Sequence, residues 1–265
     1  MGETNAASTH QFHLVKPSPW PALGSLGLLI LAIGAVVFMH DGPTWIALIG
    51  LAVIVFTLFG WWRDVISEAV VEKAHTERVR TGLRVGVVLF IISEVMFFVA
   101  FFWAFFHNAM QVNLTITQWP PEGIETLDAW GVPFLNTIIL LSSGGTLVWA
   151  SRALARGDAK ITRLGIGLSI LLGVLFLSLQ IYEYGNATFG FEEGIFPTVF
   201  YMATGFHGFH VFVGVIFLTV TFLRASAGHF QSNHDVGFQA AEWYWHFVDV
   251  VWVFLFTWFY WWGGA

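Results

Sequence analysis

Seven long apolar runs, separated by polar stretches, organise this chain. They lie at roughly 22–39, 45–62, 83–107, 134–153, 164–184, 197–223 and 240–262. Each is about 18 residues or longer, enough for a helix to cross a hydrocarbon core about 30 Å thick. The pattern predicts an all-α, polytopic membrane protein with seven transmembrane helices. Runs one and two are joined only by His40-Asp41-Gly42-Pro43-Thr44, so they should form an antiparallel pair. Lys16-Pro17-Ser18-Pro19-Trp20-Pro21 is a stiff lead-in whose prolines suit a helix start. Trp20 falls where an interfacial aromatic is expected.

The connections differ in character. Over 63–82 the residues Arg63, Asp64, Glu68, Glu72 and Lys73 recur at helical spacing, so run two should continue as a solvated helix. Three parts follow: 1–62 with helices 1–2, a cytoplasmic connection 63–82, and a five-helix bundle 83–265. The loop 108–133 contains Trp119-Pro120-Pro121-Glu122-Gly123 and cannot be regular throughout. Gly82/Gly86 and Gly205/Gly208 are small residues of the kind that let membrane helices approach. No internal repeat is evident, which counts against an inverted-repeat transporter.

Charge orients the pattern. All eleven Lys and Arg fall in alternate connections or at their edges: Lys16; Arg63, Lys73, Arg78, Arg80 and Arg84; Arg152, Arg156, Lys160 and Arg163; Arg224. The stretches 40–44, 108–133, 185–196 and 263–265 carry none. By the positive-inside rule the N-terminus is cytoplasmic and the C-terminus periplasmic. The formal charge of −6 is correspondingly uneven. The basic side suits anionic lipid head groups, and the other side holds only acids (Asp41, Glu122, Glu125, Asp128, Glu192, Glu193).

Composition adds two limits. Charged residues make up 11% of the chain, against roughly 25% in soluble domains. The chain contains no Cys, which excludes disulfides, iron–sulfur clusters and thiolate-bound metals such as binuclear copper. Residues 1–15 lack the features of a cleavable signal, so the first run is expected to be a membrane helix.

Charged groups at membrane depth cost about 2.5–3.5 kcal/mol each on the insertion scale, and such residues are functional by default. Glu94, near the middle of run three, is a member of a proton relay, a polar anchor in a cavity, or a carboxyl holding helices together. His207 and His210 share one face of run six. Glu242, His246 and Asp249 share one face of run seven. These five form an interhelical polar network, a proton wire, or metal or haem ligands. The His spacing alone is a weak metal signal, and no metal site is expected. The aromatic run Phe97, Phe98, Phe101, Phe102, Trp103, Phe105 and Phe106 covers every face of its helix and reads as packing or lipid contact. Trp61-Trp62-Arg63 reads as a lipid head-group station.

Several strings together resemble one family, subunit III of cytochrome c oxidase in the haem–copper oxidase superfamily. They include the stretch from His13 to Pro21, Trp61-Trp62-Arg63-Asp64-Val65 and Leu89-Phe90-Ile91-Ile92-Ser93-Glu94-Val95-Met96-Phe97-Phe98. Phe102-Trp103-Ala104-Phe105, Trp119-Pro120-Pro121-Glu122-Gly123-Ile124 and Leu135-Asn136-Thr137 follow. The last third adds Ala203-Thr204-Gly205-Phe206-His207-Gly208-Phe209-His210-Val211, Gly237-Phe238, the stretch from Trp243 to Trp252, and Trp261-Trp262-Gly263.

The resemblance implies a non-redox subunit of an aa3-type terminal oxidase, an enzyme complex that reduces oxygen to water and pumps protons in a bacterial inner membrane. The chain itself would bind no haem and no copper; haem a and copper would sit in partner subunits. Its partners would be subunits I and II and structural phospholipids, with no nucleic acid. Helices 1–2 would lean away from helices 3–7 across a V-shaped cleft filled with lipid. By position, Trp61, Trp62, Glu68, His75, Phe90 and Arg224 look like the family's lipid contacts, and the stretch from Ser67 to Ala74 is locally divergent. Glu94 looks like the family's buried carboxylate, on an oxygen or proton path near subunit I. The competing readings are a proton-coupled transporter using Glu94 and Asp249, and a dihaem anchor using His207, His210 and His246.

Overall fold

The computed structural model describes residues 16–110, 118–230 and 235–264. The N-terminal segment 1–15 and part of the expected irregular loop 108–133 lie outside the described residues. Seven α-helices follow one another: α1 Trp20–Met39, α2 Trp45–Val70, α3 Glu77–Ala109, α4 Val132–Ala155, α5 Ala159–Asn186, α6 Ile195–Ser226 and α7 Val236–Leu255. A π-helical stretch, Phe256–Trp262, continues α7. No strand occurs among the described residues. Contacts divide the chain into two compact units, Met1–Leu83 and Arg84–Ala265.

Helices α1–α6 are long and apolar enough to cross a membrane. Helix α7 falls below them in apolarity, because Gln239, Glu242, His246 and Asp249 interrupt it. Just over half of its 20 residues are buried in protein, so much of its surface meets other helices, while Val250, Val253 and Phe254 stay exposed.

In the first unit, α1 and α2 form the expected antiparallel hairpin. Pro19 caps α1 and Pro21 lies in its first turn, where a missing N–H costs nothing. Asp41 turns the chain with φ 60°. Helix α2 runs to Val70, eight residues past the end of its apolar run, and stops before Glu72 and Lys73, which the charge spacing includes. The hairpin seam is made of small residues: Gly27, Gly34, Gly50, Thr57 and Gly60 are the buried positions of the two helices. A side chain on Gly34 would collide with the Ala47 backbone, and one on Gly50 with the Leu31 backbone. The large apolar residues of both helices face outward. This is the arrangement that close backbone packing favours when lipid, not water, is the solvent. The indole N–H of Trp20 donates to Asp64 Oδ2 at 2.7 Å, and its ring lies over Gly60.

In the second unit, α4–α5, α5–α6 and α6–α7 pack backbone to backbone, and α7 also packs on α4. Asp158 caps α5 by accepting from the N–H groups of Lys160 and Ile161. Asp235 caps α7 by accepting from Gly237 N–H at 2.9 Å. Trp245 is completely buried at the centre and donates its indole N–H to Ser143 Oγ at 2.9 Å. Added Cβ atoms on Gly173 and Gly214 would meet its ring at 2.6 and 2.8 Å, so both positions must stay small. Trp252 donates to Thr137 Oγ1 at 2.9 Å. Both tryptophans thus fill the core while satisfying their one polar atom.

Helix α3 is attached differently. Long side chains bridge it to its neighbours: Phe97 to Phe206, Phe98 to Phe247, Phe102 to Phe254, and Phe105 to Phe259 with ring centroids 4.3 Å apart. The aromatic run therefore serves largely as packing on one side and points outward on the other, where Trp103 is 72% exposed. The expected close approaches at Gly82, Gly86, Gly205 and Gly208 are not made. Nothing lies within 4 Å of a Cβ at Gly82, Gly86 or Gly208, and only the Tyr184 hydroxyl reaches Gly205, at 4.0 Å. The close approaches fall at Gly34, Gly50, Gly173 and Gly214 instead.

Candidate functional site

Glu94 stands one helical turn after Phe90 on α3, and His210 stands on the facing side of α6. His210 Nε2 lies 2.9 Å from Glu94 Oε2. Its other nitrogen, Nδ1, lies 2.6 Å from the Phe206 carbonyl oxygen. A carbonyl only accepts, so Nδ1 carries a hydrogen. One further proton then joins Nε2 and the carboxyl, whether it is written as imidazolium and carboxylate or as neutral imidazole and carboxylic acid. The pair is net neutral in both forms, which is how a carboxyl is tolerated at this depth. The His210 side chain is 9% exposed and that of Glu94 24%, so the pair is reachable from the Glu94 side only. Phe97 and Phe98 flank the imidazole. Tyr244 stacks on it at 6.5 Å and donates its hydroxyl to the His210 carbonyl oxygen at 3.3 Å.

The other members of the expected five-residue network take different partners. His207 is 1% exposed and stacks on Trp252 at 5.2 Å, with Phe176 edge-on to it. Neither of its ring nitrogens has a hydrogen-bond partner among the described residues. On α7, His246 Nδ1 lies 3.2 Å from Asp249 Oδ2, and both sit against Gly144 of α4. Glu242 accepts from Ser151 Oγ at 3.2 Å. The five residues therefore form separate local pairings: α6 turns His210 toward α3, while the α7 groups turn toward α4. Among the described residues, no three His, Asp or Glu converge as a metal site would require.

A second buried polar cluster joins α4, α5 and the closing π-helical stretch. Glu183 Oε1 accepts from the Tyr260 hydroxyl at 2.6 Å and from Gln180 Nε2 at 3.0 Å. Gln180 in turn accepts from Asn136 Nδ2 at 3.4 Å. The sequence marks Glu183 only as an acid within a run. Two amides inside apolar runs, Asn136 and Gln180, were the available signal that it has partners.

The positions resembling lipid contacts fall in varied settings. Trp61 and Trp62 are exposed on α2, and Phe90 is exposed on α3 while stacking on Tyr244 at 6.4 Å. Arg224 is largely enclosed. Its guanidinium sits 4.5 Å over the Phe230 ring and 3.8 Å from Asp235 Oδ1. Glu68 and His75 are half-buried, and the Glu68 carbonyl accepts from Ala74 N–H at 3.0 Å.

Comparison with known proteins gives a consistent picture. The profile of a family described as cytochrome c oxidase subunit III matches residues 10–264. The "Cytochrome c oxidase subunit 3" of Marchantia polymorpha is 51% identical over 263 residues, which is 98% of this chain and 99% of that protein. The protein of the same name from Arabidopsis thaliana is 50% identical over 258 residues, 96% of this chain and 97% of its own. That from Dugong dugon is 49% identical over 257 residues, 97% of this chain and 98% of its own.

Proposed function

The chain belongs to the cytochrome c oxidase subunit III family, and so is an accessory subunit of that oxidase complex; from that premise we propose that it steadies the catalytic subunit I, beside subunit II, holds phospholipid, and sustains oxygen or proton delivery without a redox centre of its own. Haem a and copper belong to the partner subunits in this reading. The observation that carries it is the Glu94–His210 pair. It joins α3 to α6 at membrane depth through one transferable proton, so it can both fasten a helix and relay a charge.

The reading includes a place in the membrane. Six helices support a multi-pass protein, and α7 with its π-helical continuation is the seventh span. Their 20 and 7 residues together exceed the roughly 20 needed to cross. The distribution of the basic residues supports an N-terminus on the inner side and a C-terminus on the outer side, and we place the chain in a bacterial inner membrane, with these sides the cytoplasm and the periplasm. Trp61, Trp62, Glu68, His75, Phe90 and Arg224 are the proposed lipid contacts.

Glu94→Ala tests the proposal in the assembled oxidase. Assembled complexes should begin turnover at the wild-type rate and then slow or inactivate. Looser assembly with unchanged activity per complex would reduce Glu94 to a fastener. Unchanged assembly together with unchanged sustained turnover would remove the role altogether.

A further inference from the structure

A groove of about 650 Å³ runs between α3 and α7 within the second unit. Its α3 wall runs from Val88 to Phe102 and its α7 wall from Trp243 to Phe254. Fourteen helical steps along α3 make it about 21 Å long, longer than one leaflet of a core about 30 Å thick. Phe98, Phe247 and Val251 form a buried floor, and the rim residues Val95, Val99 and Val250 are 43%, 44% and 56% exposed.

The two ends differ. One turn before Val88, Arg84 donates its Nε–H to Gln239 Oε1 at 2.9 Å. Gln239 itself lies one turn before Trp243. A guanidinium, already bonded through Nε to Gln239, thus stands at the basic-side end of the groove. The acid nearest along α7, Glu242, is turned away toward Ser151 on α4.

We infer that this groove holds one acyl chain of an anionic phospholipid whose phosphate meets Arg84. The inference rests on the reading of the chain as a lipid-holding oxidase subunit, and it adds a site on residues other than those assigned above. Three observations choose the occupant. The lining is almost wholly apolar. It contains no Gly or Ala, the small residues in which tightly packed membrane-helix seams are enriched. A guanidinium at the basic-side end is the partner a phosphate requires. A flexible acyl chain can follow the uneven walls of Val, Ile and Phe, with Trp243 and His246 the remaining lining residues.

The test uses the assembled oxidase in mild detergent, supplied with phosphatidylglycerol bearing a diazirine midway along one acyl chain. Irradiation should label peptides carrying Val88–Phe102 and Trp243–Phe254, and excess unlabelled phosphatidylglycerol should abolish that label. Val250→Trp, which fills the groove, should remove the label from both peptides. Arg84→Gln should lower labelling by the phosphatidylglycerol probe while leaving that by a phosphatidylcholine probe unchanged. Label on the α2 peptide carrying Trp61 and Trp62, but none on α3 and α7, overturns the groove while the broader lipid reading stands. No label anywhere on the chain overturns both. Crosslinking of a benzophenone side chain at position 95 to a partner subunit shows that a protein covers the groove and also overturns the inference.

Discussion

The Asp249 carboxylate occupies the space that a side chain on Gly144 would fill. A pair of residues more than 100 positions apart is thereby locked in one register between α4 and α7. On α7 itself Asp249 lies one turn after His246, with Oδ2 3.2 Å from His246 Nδ1.

Gly144→Ala should therefore displace Asp249 and cost about 1–3 kcal/mol, the usual penalty for overfilling a packed core. Asp249→Ala in the same chain should recover part of that loss, because the two changes share one space. Thermal unfolding of the assembled complex, followed for both single variants and the double, measures the coupling. Strictly additive losses would contradict the contact.

Glu94→Gln separates the two tasks of the Glu94–His210 pair. The amide N–H still donates to His210 Nε2, so assembly should stay within about 0.5 kcal/mol of wild type. The bond no longer carries a transferable proton, so sustained turnover should fall. Wild-type endurance over many turnovers would show that the bond is only a fastener.

Gly50→Leu should open the α1–α2 hairpin, since Gly50 meets the Leu31 backbone directly. Gly86→Leu, placed where nothing among the described residues lies inside 4 Å, should leave the fold unchanged. Protease sensitivity of the 40–44 turn in detergent compares the two. Equal sensitivity would remove the small-residue seam as the cause of the hairpin.

Tyr260→Phe deletes the donor to Glu183 at 2.6 Å. Buried bonds to an ionisable partner are worth about 1.5–3 kcal/mol, so the complex should unfold at a lower temperature. Gln180→Leu should lower it further, because it removes the second donor at 3.0 Å. An unchanged melting temperature in both variants would show that this cluster adds nothing to stability.

Much of the architecture was legible in the apolar runs, because length and apolarity are what lipid selects. The continuation of α2 past its apolar run was legible in the spacing of Arg63, Asp64 and Glu68, but its end before Glu72 and Lys73 was not. Partner choice was not legible. Glu94 and His210 lie 116 residues apart, and nothing local in either segment announces the other. Spacing placed His207 and His210 on one face. It could not say that one ring would stack on Trp252 while the other turned to α3. The glycines were misread for a similar reason: a small residue permits a close approach, but only the neighbouring helix decides whether one occurs. For Arg224 the sequence offered a head-group contact but not the neighbours it has within the chain, Phe230 and Asp235.

The protein-lined setting of α7 bears on the order in which the molecule can be built. Glu242, His246 and Asp249 make this helix a poor guest for a bilayer on its own. Three of the groups that meet its polar atoms, Thr137, Ser143 and Ser151, lie on α4, and others lie on α3 and α6. Ser143 leaves the ribosome 102 residues before Trp245. The earlier helices are therefore the medium into which α7 folds, and a chain whose α4 is misplaced would reach its last span with nowhere to put it.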